Sequence, residues 1–558
     1  MRSREGGGLS ARAVWLVFAL FLCLYLLTAR GRITVIDGLS RYQVTAAIAE
    51  RGTVSLPESW HHAFPGKRPG AFYSYYGLGQ SLAALPLYLL GQAGARLLPG
   101  SSPQVVTEFA YSLLNPFMAA GLCAVFFAFC LQLGYSRRTA LWLTVALGLG
   151  TILWQHSKDS FEHPQEALLG LAGVMSAQQG LAQGRLRLVW LSGLLLGAAV
   201  LTRESAVFFL GPTLVYVTVT ATQTPPSPAA NPLAASAAGP PVVPHGRLAG
   251  VARATRAAGA LVGGAMPSLV VVGWYNALRS GSPLVGGYGA TGHFGQFDAP
   301  LLRGLAGLLV SPGKGLLEYD PILLFAVIFP SSLALFWRRA RGLAALFAAI
   351  GLTYLVFYAR FRYWDGGLCW GPRYLLAVMP LALLPLGEVL ERLPAASRRA
   401  AARFSGARLG AAGLSAIAGI SVMIQLSSVL VDHQNWFREV AVRNQRGERI
   451  AINSTPANSP LLRQWQSLGR VLFGQRAGTP DWARDMNADQ GLGDEFSTGI
   501  DLWWVSWPAE NAKVFRFATA ASLAGLLVLL AWLAAPLTRP DRAPGGDDSA
   551  DTGLTRLT

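Results

Sequence analysis

The sequence predicts an all-α, polytopic membrane protein with about twelve transmembrane helices. Three observations predict it. Hydrophobic residues make up 52% of the 558 positions and charged residues only 13%, where a water-soluble domain carries roughly a quarter charged residues. Apolar stretches long enough to cross a bilayer recur along the whole chain, and the mean hydropathy is +0.38. The basic residues that produce a net charge of +17 cluster in short loops between those stretches. They include Arg137–Arg138, Arg185/Arg187, Arg247/Arg253/Arg256, Arg338–Arg339–Arg341 and Arg398–Arg399 with Arg403 and Arg408. That distribution is the positive-inside bias of membrane proteins, and it suits anionic head groups. A nucleic-acid interface is excluded, because no basic stripe interleaves with aromatics on a soluble module.

The first apolar run, Ala13 to Thr28, follows a basic start that resembles a signal peptide, but no small-residue cleavage site follows it, so a retained helix is expected. Further spans are expected near residues 106–133, 139–155, 164–182, 188–202, 204–220, 257–276, 320–337, 342–359, 373–391, 409–431 and 513–535, after the first at 12–29. With the N-terminus inside, every basic cluster falls on the cytoplasmic side. The segment "YYGLGQSLAALPLYLLGQAGARLL" is apolar enough to cross, yet counting it would put Arg137–Arg138 outside. It reads as an interfacial or re-entrant helix in the first outer loop, residues 30–105, with Tyr75, Tyr76 and Tyr88 at head-group level. Residues 1–431 form one transmembrane module. Within it, residues 221–256 read as a flexible Pro/Ala-rich cytoplasmic linker. Residues 432–512 form a small outer region, 513–535 the last span and 536–558 a disordered cytoplasmic tail. The four cysteines include no CxxC, so neither a disulfide framework nor a zinc ribbon is indicated.

This topology gathers the polar side chains on the outer face. After the first span, "VIDGLSRY" places Asp37 and Arg41 one helical turn apart. A helix from Gly38 to Arg51 is expected, with Asp37 as N-cap and Gly52 as its stop. Asp37 is then either a cap or a carboxylate poised as general base at the membrane boundary. "QHSKDSFEHPQEALL" brings Lys158, Asp159, Glu162 and His163 into one short turn between spans. Capping explains Pro164 and Glu166, but a short turn does not require so many ionisable groups. "AVLTRESAVFF" sets Arg203 and Glu204 between two apolar halves, as a bracing ion pair or as an arginine offered to a phosphate. "SPGKGLLEYDPILL" carries Lys314 in a glycine turn whose spacing is not that of a nucleotide-binding loop. In "RYWDGGLCWGPRYLL", Asp365, Trp370 and Arg373 surround a Gly-Gly turn, as an interfacial belt or as a sugar platform and phosphate clamp. Serine-hydrolase, zincin and nucleotide fingerprints are absent from the sequence.

These motifs in this order resemble the GT-C superfamily of polytopic glycosyltransferases that use polyprenyl-phosphate-linked sugars. The resemblance is greatest to bacterial relatives of the protein O-mannosyltransferases and to the aminoarabinose transferases. "DGLSRY" stands where that family places an acidic motif in the first outer loop, "GKRPGAFYSYYGLGQSLAALPLYLLG" where it has an interfacial helix, and "SKDSFEHP" where it has a second acidic turn. "LTRES" and "GGLCWGPRYLL" match two further short motifs, so the similarity covers roughly residues 10–390. Two positions depart from the pattern. Gly38 replaces a second acid, and His163 stands where the family has an acid before proline.

The resemblance implies inverting sugar transfer from a polyprenyl-phosphate donor to an acceptor hydroxyl on the outer face. The acceptor is an envelope glycan, a lipid or a protein. Asp37 is the expected general base, with Asp159 as a second catalytic acid. Arg41, Lys67, Lys158, Glu162, His163, Arg203, Lys314, Asp365, Trp370 and Arg373 are the expected substrate and phosphate contacts, Arg41 also positioning Asp37. No metal site is assigned and no cofactor is required, though the chemistry leaves room for Mg or Mn. The expected location is a bacterial inner membrane. The rival class is a transporter or lipid flippase, which calls for ionisable groups at mid-membrane and repeated topology. Here the charges sit at the outer boundary and no repeat is evident.

Overall fold

The computed structural model describes residues 2–57, 63–97, 102–223, 247–290, 296–399, 406–473, 499–506 and 513–538. Among these the chain is almost wholly helical, with one two-stranded hairpin and two isolated bridges as its β-structure. Seven helices are long and apolar enough to cross a bilayer. An eighth span exists if Pro321–Ile328 and Pro330–Arg339, bent by 77° at Phe329, are taken together. The protein is therefore an integral membrane protein. The other expected spans are helical but shorter or less apolar: Ala11–Leu27, Arg137–Gly150, His163–Gln183 and Leu186–Thr202. The bend within the expected span 320–337 has a covalent cause, since Pro330 cannot donate to the preceding turn. The expected span 373–391 is likewise three pieces, Arg373–Val378, Met379–Leu383 and Leu386–Arg399, interrupted around Pro380 and Pro385.

Packing follows small residues. Leu186–Thr202 lies along Arg247–Ser280. A Cβ on Gly193 would come within 1.9 Å of the Leu261 carbonyl oxygen, and one on Gly264 within 1.9 Å of that of Trp190. Two backbones approach that closely only where side chains are missing, which is how helices associate when their flanks face lipid rather than water. The first helix, Arg2–Leu27, packs on Leu114–Gln132 and on the last helix, Lys513–Ala534, with Phe21 and Tyr25 buried at its inner side.

The segment after the first helix contains the helix Ile36–Arg51, the antiparallel hairpin Ala63–Pro65 with Phe72–Ser74, and the helix Gly79–Leu97. Gly79–Leu97 is not among the spanning helices, in keeping with an interfacial element. Tyr42, Tyr88 and Tyr111 pack together beneath these helices. Gly52 caps the first of them in the left-handed region, φ 62°. The N-cap, however, is Val35, and Asp37 lies in the first helical turn with its carboxylate free for other partners. Gly38 is wedged against the acidic turn, where an added Cβ would sit 2.5 Å from Ser160 Cβ. The position next to Asp37 thus has no room for a second carboxylate.

The expected linker is helical at both ends, within Val207–Gln223 and Arg247–Ser280, and its middle, residues 224–246, lies outside the described residues. So does the tail beyond Thr538. The outer C-terminal region contributes Gln434–Gln445, Pro460–Leu472 and Trp503–Ser506. Trp503 and Trp504 donate their indole N–H groups to the Leu26 and Leu27 carbonyls at the end of the first helix, 2.9 and 3.0 Å. The two ends of the bundle differ. Arg339 pairs with Glu388 beside Leu133 and Tyr135 at one end. Asp37, Arg203, Arg373 and Asp432 lie in the ion-pair networks of the other.

Candidate active site

Asp37 is held by both oxygens. The Tyr76 hydroxyl donates to Oδ1 at 2.7 Å, and Arg373 Nη1 donates to Oδ2 at 3.0 Å. The side chain remains 17% exposed. Its positioning residues are thus Tyr76 and Arg373, rather than Arg41. Arg41 is fully buried; it pairs with Glu162 and lies over the Tyr76 ring, 4.2 Å from its centroid. Arg373 lies over Phe161 at 4.2 Å, so a π-face and a carboxylate fix its plane together. Burial and the Asp37 charge push the Tyr76 hydroxyl well above the usual phenol range, keeping it a hydrogen-bond donor to the carboxylate.

Glu162 bridges two guanidiniums, Arg41 on one oxygen and Arg203 on the other. Burial opposes its charge, but Arg41, Arg203 and Arg373 outweigh that, and the carboxyl falls to about 2. Arg203 also donates through Nε to Ser205 Oγ and the Tyr358 hydroxyl, each at 3.1 Å. Beneath it, Glu166 accepts from Tyr354 at 2.6 Å and Ser205 at 3.0 Å, and lies 3.5 Å from His163 Nδ1. His163 is fully buried between His156, Phe161 and Tyr374. Its ring packs against all three.

Arg203 and Glu162 open into a cavity of about 120 Å³, lined by Tyr75, Tyr76, Gly77, Thr202, Glu204, Ser205, Tyr288, Phe297, Phe357, Tyr358, Phe361 and Tyr374. That is roomier than the ~10–15 Å³ a single water needs. Tyr358 and Tyr374 are stacked at 4.3 Å, Phe297 packs on Phe357 and Phe361, and Arg203 lies 5.2 Å from the Tyr374 centroid. Aromatic walls with one guanidinium suit a group that is apolar on one side and anionic on the other.

The remaining sequence candidates lie elsewhere. Asp159 and Lys158 face away from this cavity, into a separate buried network with Arg30, Asp432 and Asp501. Arg30 is 3.6 Å from Asp159, 3.2 Å from Asp432 and 2.7 Å from Asp501. Lys158 donates to the Val429 and Asp501 carbonyls at 2.6 and 2.7 Å and pairs with the Asp501 carboxylate at 3.2 Å. Burial draws the Lys158 ammonium down to about 8 against the pull of Asp501. Both residues moor the segments around Asp432 and Asp501, and neither lines the cavity at Arg203. Lys314 is fully buried and donates to the Gly367 and Cys369 carbonyls, with Phe437 4.5 Å below it; it shapes the glycine loop from within. Asp365 accepts from the Gly367 N–H and from Asn453, closing the same turn. Trp370 is fully buried, edge-on to Tyr319, and donates to Gln425, so it offers no face to a sugar. Lys67 is exposed in the hairpin turn, its stem against Gly281. Among the described residues no three His, Cys, Asp or Glu side chains converge as metal ligands.

One further residue organises the site. Arg279 ends the long helix Arg247–Ser280 and is 3% exposed. Its Nη1 donates to the carbonyls of Ser74, Tyr75 and Tyr76 at 3.0–3.2 Å, and its Nη2 pairs with Glu204 at 3.3 Å. One guanidinium thus fixes the turn that carries Tyr76 and the carboxylate that lines the cavity. Arg279→Gln is expected to lower stability by about 1.5–3 kcal/mol, the scale of hydrogen bonds to a charged group. The loss should be smaller in Arg279→Lys, which keeps the charge but not the fork. Thermal unfolding midpoints of the three proteins in detergent check both expectations.

No family model matches the sequence, and no curated protein matches it. Among solved structures the chain is similar to ArnT from Cupriavidus metallidurans in the apo state, at 12% identity and a TM-score of 0.44, over 96% of this chain and 77% of that one. It is similar to the same enzyme bound to undecaprenyl phosphate, at 12% identity and a TM-score of 0.43, over 87% and 81%. It is also similar to the archaeal oligosaccharyltransferase AglB from Archaeoglobus fulgidus, in complex with an inhibitory peptide and a dolichol-phosphate. That match has 12% identity and a TM-score of 0.43, over 75% of this chain and 55% of AglB. Likenesses this distant assign no activity, which rests on the site itself.

Proposed function

We propose that this protein is a membrane glycosyltransferase of the GT-C type. It transfers a sugar from a polyprenyl phosphate to an acceptor hydroxyl on the extracytoplasmic face, with inversion. The observation that carries the proposal is the pairing of Asp37 with Tyr76 and Arg373 beside an aromatic cavity that Arg203 enters. Asp37 takes the proton of the acceptor hydroxyl, whose oxygen bonds to the anomeric carbon from the face opposite the phosphate. The bond from that carbon to the phosphate oxygen breaks, and its electron pair leaves with the lipid phosphate. Arg203, which lines the cavity, and Arg373 stabilise the charge that develops there. The aromatic walls take the sugar ring and the first isoprenoid units. Little covalent work falls to the protein, so most of the acceleration comes from orientation and preplaced charge.

The positive-inside bias supports the outer placement, since the basic loops crowd the opposite side, and a bacterial inner membrane is the setting that fits a polyprenyl-phosphate donor. The test is purified protein in lipid nanodiscs with a radiolabelled polyprenyl-phosphate sugar and envelope fractions as acceptor, with and without Mg²⁺. Label should enter the acceptor while polyprenyl phosphate is released. Movement of the intact donor across a sealed bilayer without transfer would replace the proposal with a flippase.

A further inference from the structure

The helix Pro460–Leu472 in the outer C-terminal region carries a wider apolar face than the protein covers. At 100° per residue its positions sort into three arcs. Pro460, Gln464 and Leu468 are buried against the bundle. Next to them around the helix come Leu462, Trp465 and Leu472, exposed by 47%, 37% and 65%, followed at the end by Phe473 at 84%. The third arc, with Arg463, Gln466, Ser467 and Arg470, is polar.

The position of this helix says what covers the exposed apolar arc. Gln464 Nε2 donates to the carbonyls of Ser427 and Val431 at 2.8 and 2.9 Å, at the last turn of the spanning helix Gly406–Leu430. Ser459, its N-cap, donates to the Pro312 carbonyl at 2.7 Å, in the turn just before Leu316–Tyr319. The helix is thus fastened to the end of a spanning helix and to the turn before Leu316–Tyr319. One turn before Ser427 on the same span, Met423 is an apolar side chain 48% exposed. A tryptophan between apolar neighbours, with an arginine on the adjoining polar arc, is the pattern of a helix lying in the membrane interface.

We propose that Pro460–Leu472 lies on the outer leaflet, with Leu462, Trp465 and Leu472 at the acyl–headgroup boundary and Arg470 among the headgroups. It moors the outer C-terminal region to the bilayer independently of any catalytic role. The test uses the full chain in nanodiscs. The four native cysteines are buried among the described residues, so a nitroxide can be placed selectively on Trp465→Cys, Leu472→Cys and, as reference, Arg470→Cys. All three positions are exposed and tolerate the change. Dissolved oxygen should relax the labels at 465 and 472 more than a water-soluble nickel chelate does, with the reverse at 470. Greater access of the nickel chelate at 465 and 472 would place the arc in water and overturn the proposal. Exclusion of both reagents there, as under a second copy or another segment of the chain, would overturn it equally.

Discussion

Asp37→Asn is expected to lower the transfer rate by about 100- to 10,000-fold, the usual cost of losing a general base, while the protein inserts, folds and still binds donor. Asparagine has nearly the volume of aspartate, and its amide oxygen still accepts the Tyr76 hydroxyl, so the start of Ile36–Arg51 keeps its geometry. What disappears is the charge proposed to take the acceptor proton. The donor side should not suffer. Asp37 engages Arg373, and removing that carboxylate leaves the guanidinium more available to a phosphate. The KM for donor should therefore stay level or fall while kcat collapses, a split that misfolding does not produce. A variant with near-normal kcat would remove Asp37 as the base. Glu204, the partly exposed carboxylate on the cavity wall, would then be the next residue to substitute.

The helical membrane fold was legible from the sequence because a bilayer imposes its length and polarity on every span. The shared location of Asp37, Glu162, Arg203 and Arg373 was legible because charge bias fixes which ends of the spans lie together. The pairing within that group was not. Asp37 and Arg41 are one turn apart, yet helix geometry sends Arg41 inward to Glu162, and the partner of Asp37 comes from 336 residues away. The acidic turn is divided in the same way. Lys158 and Asp159 enter one network and Glu162 another, because the short helix Leu153–His156 and the start of His163–Gln183 rotate neighbouring side chains to opposite sides. Arg279 and Arg30 carry a sequence signal of their own. Each is an arginine at the outer end of a span, against the positive-inside bias, where an unneutralised charge is costly and a specific partner is expected. Tyr76 was read as a head-group aromatic. Its role depends on the tight turn at Gly77, where a Cβ would fall 2.4 Å from the Leu201 carbonyl oxygen, a contact that no local pattern reveals.

The second large effect lies away from the cavity. Arg30→Met is expected to destabilise the protein by about 3–5 kcal/mol, the cost of stripping one partner from a buried ion network. Arg30, Asp159, Asp432 and Asp501 have wholly buried side chains, so no water replaces the lost guanidinium. Lys158 and Arg32 still neutralise Asp501, but Asp159 and Asp432 both lose their direct guanidinium contact. The network joins the start of the first outer loop, the acidic turn, the end of Gly406–Leu430 and the segment leading to Trp503. The loss should therefore appear first as protease cleavage after Asp432, before the bundle itself unfolds. Methionine matches the volume of the arginine stem, which separates charge from packing. Combining Arg30→Met with Asp159→Asn and Asp432→Asn should recover part of the lost stability, since neutral amides tolerate burial better than orphaned carboxylates. If the single variant melts with the wild type and resists protease equally, the network is not what fastens the outer region, and the Trp503 and Trp504 hydrogen bonds to the first helix hold it instead.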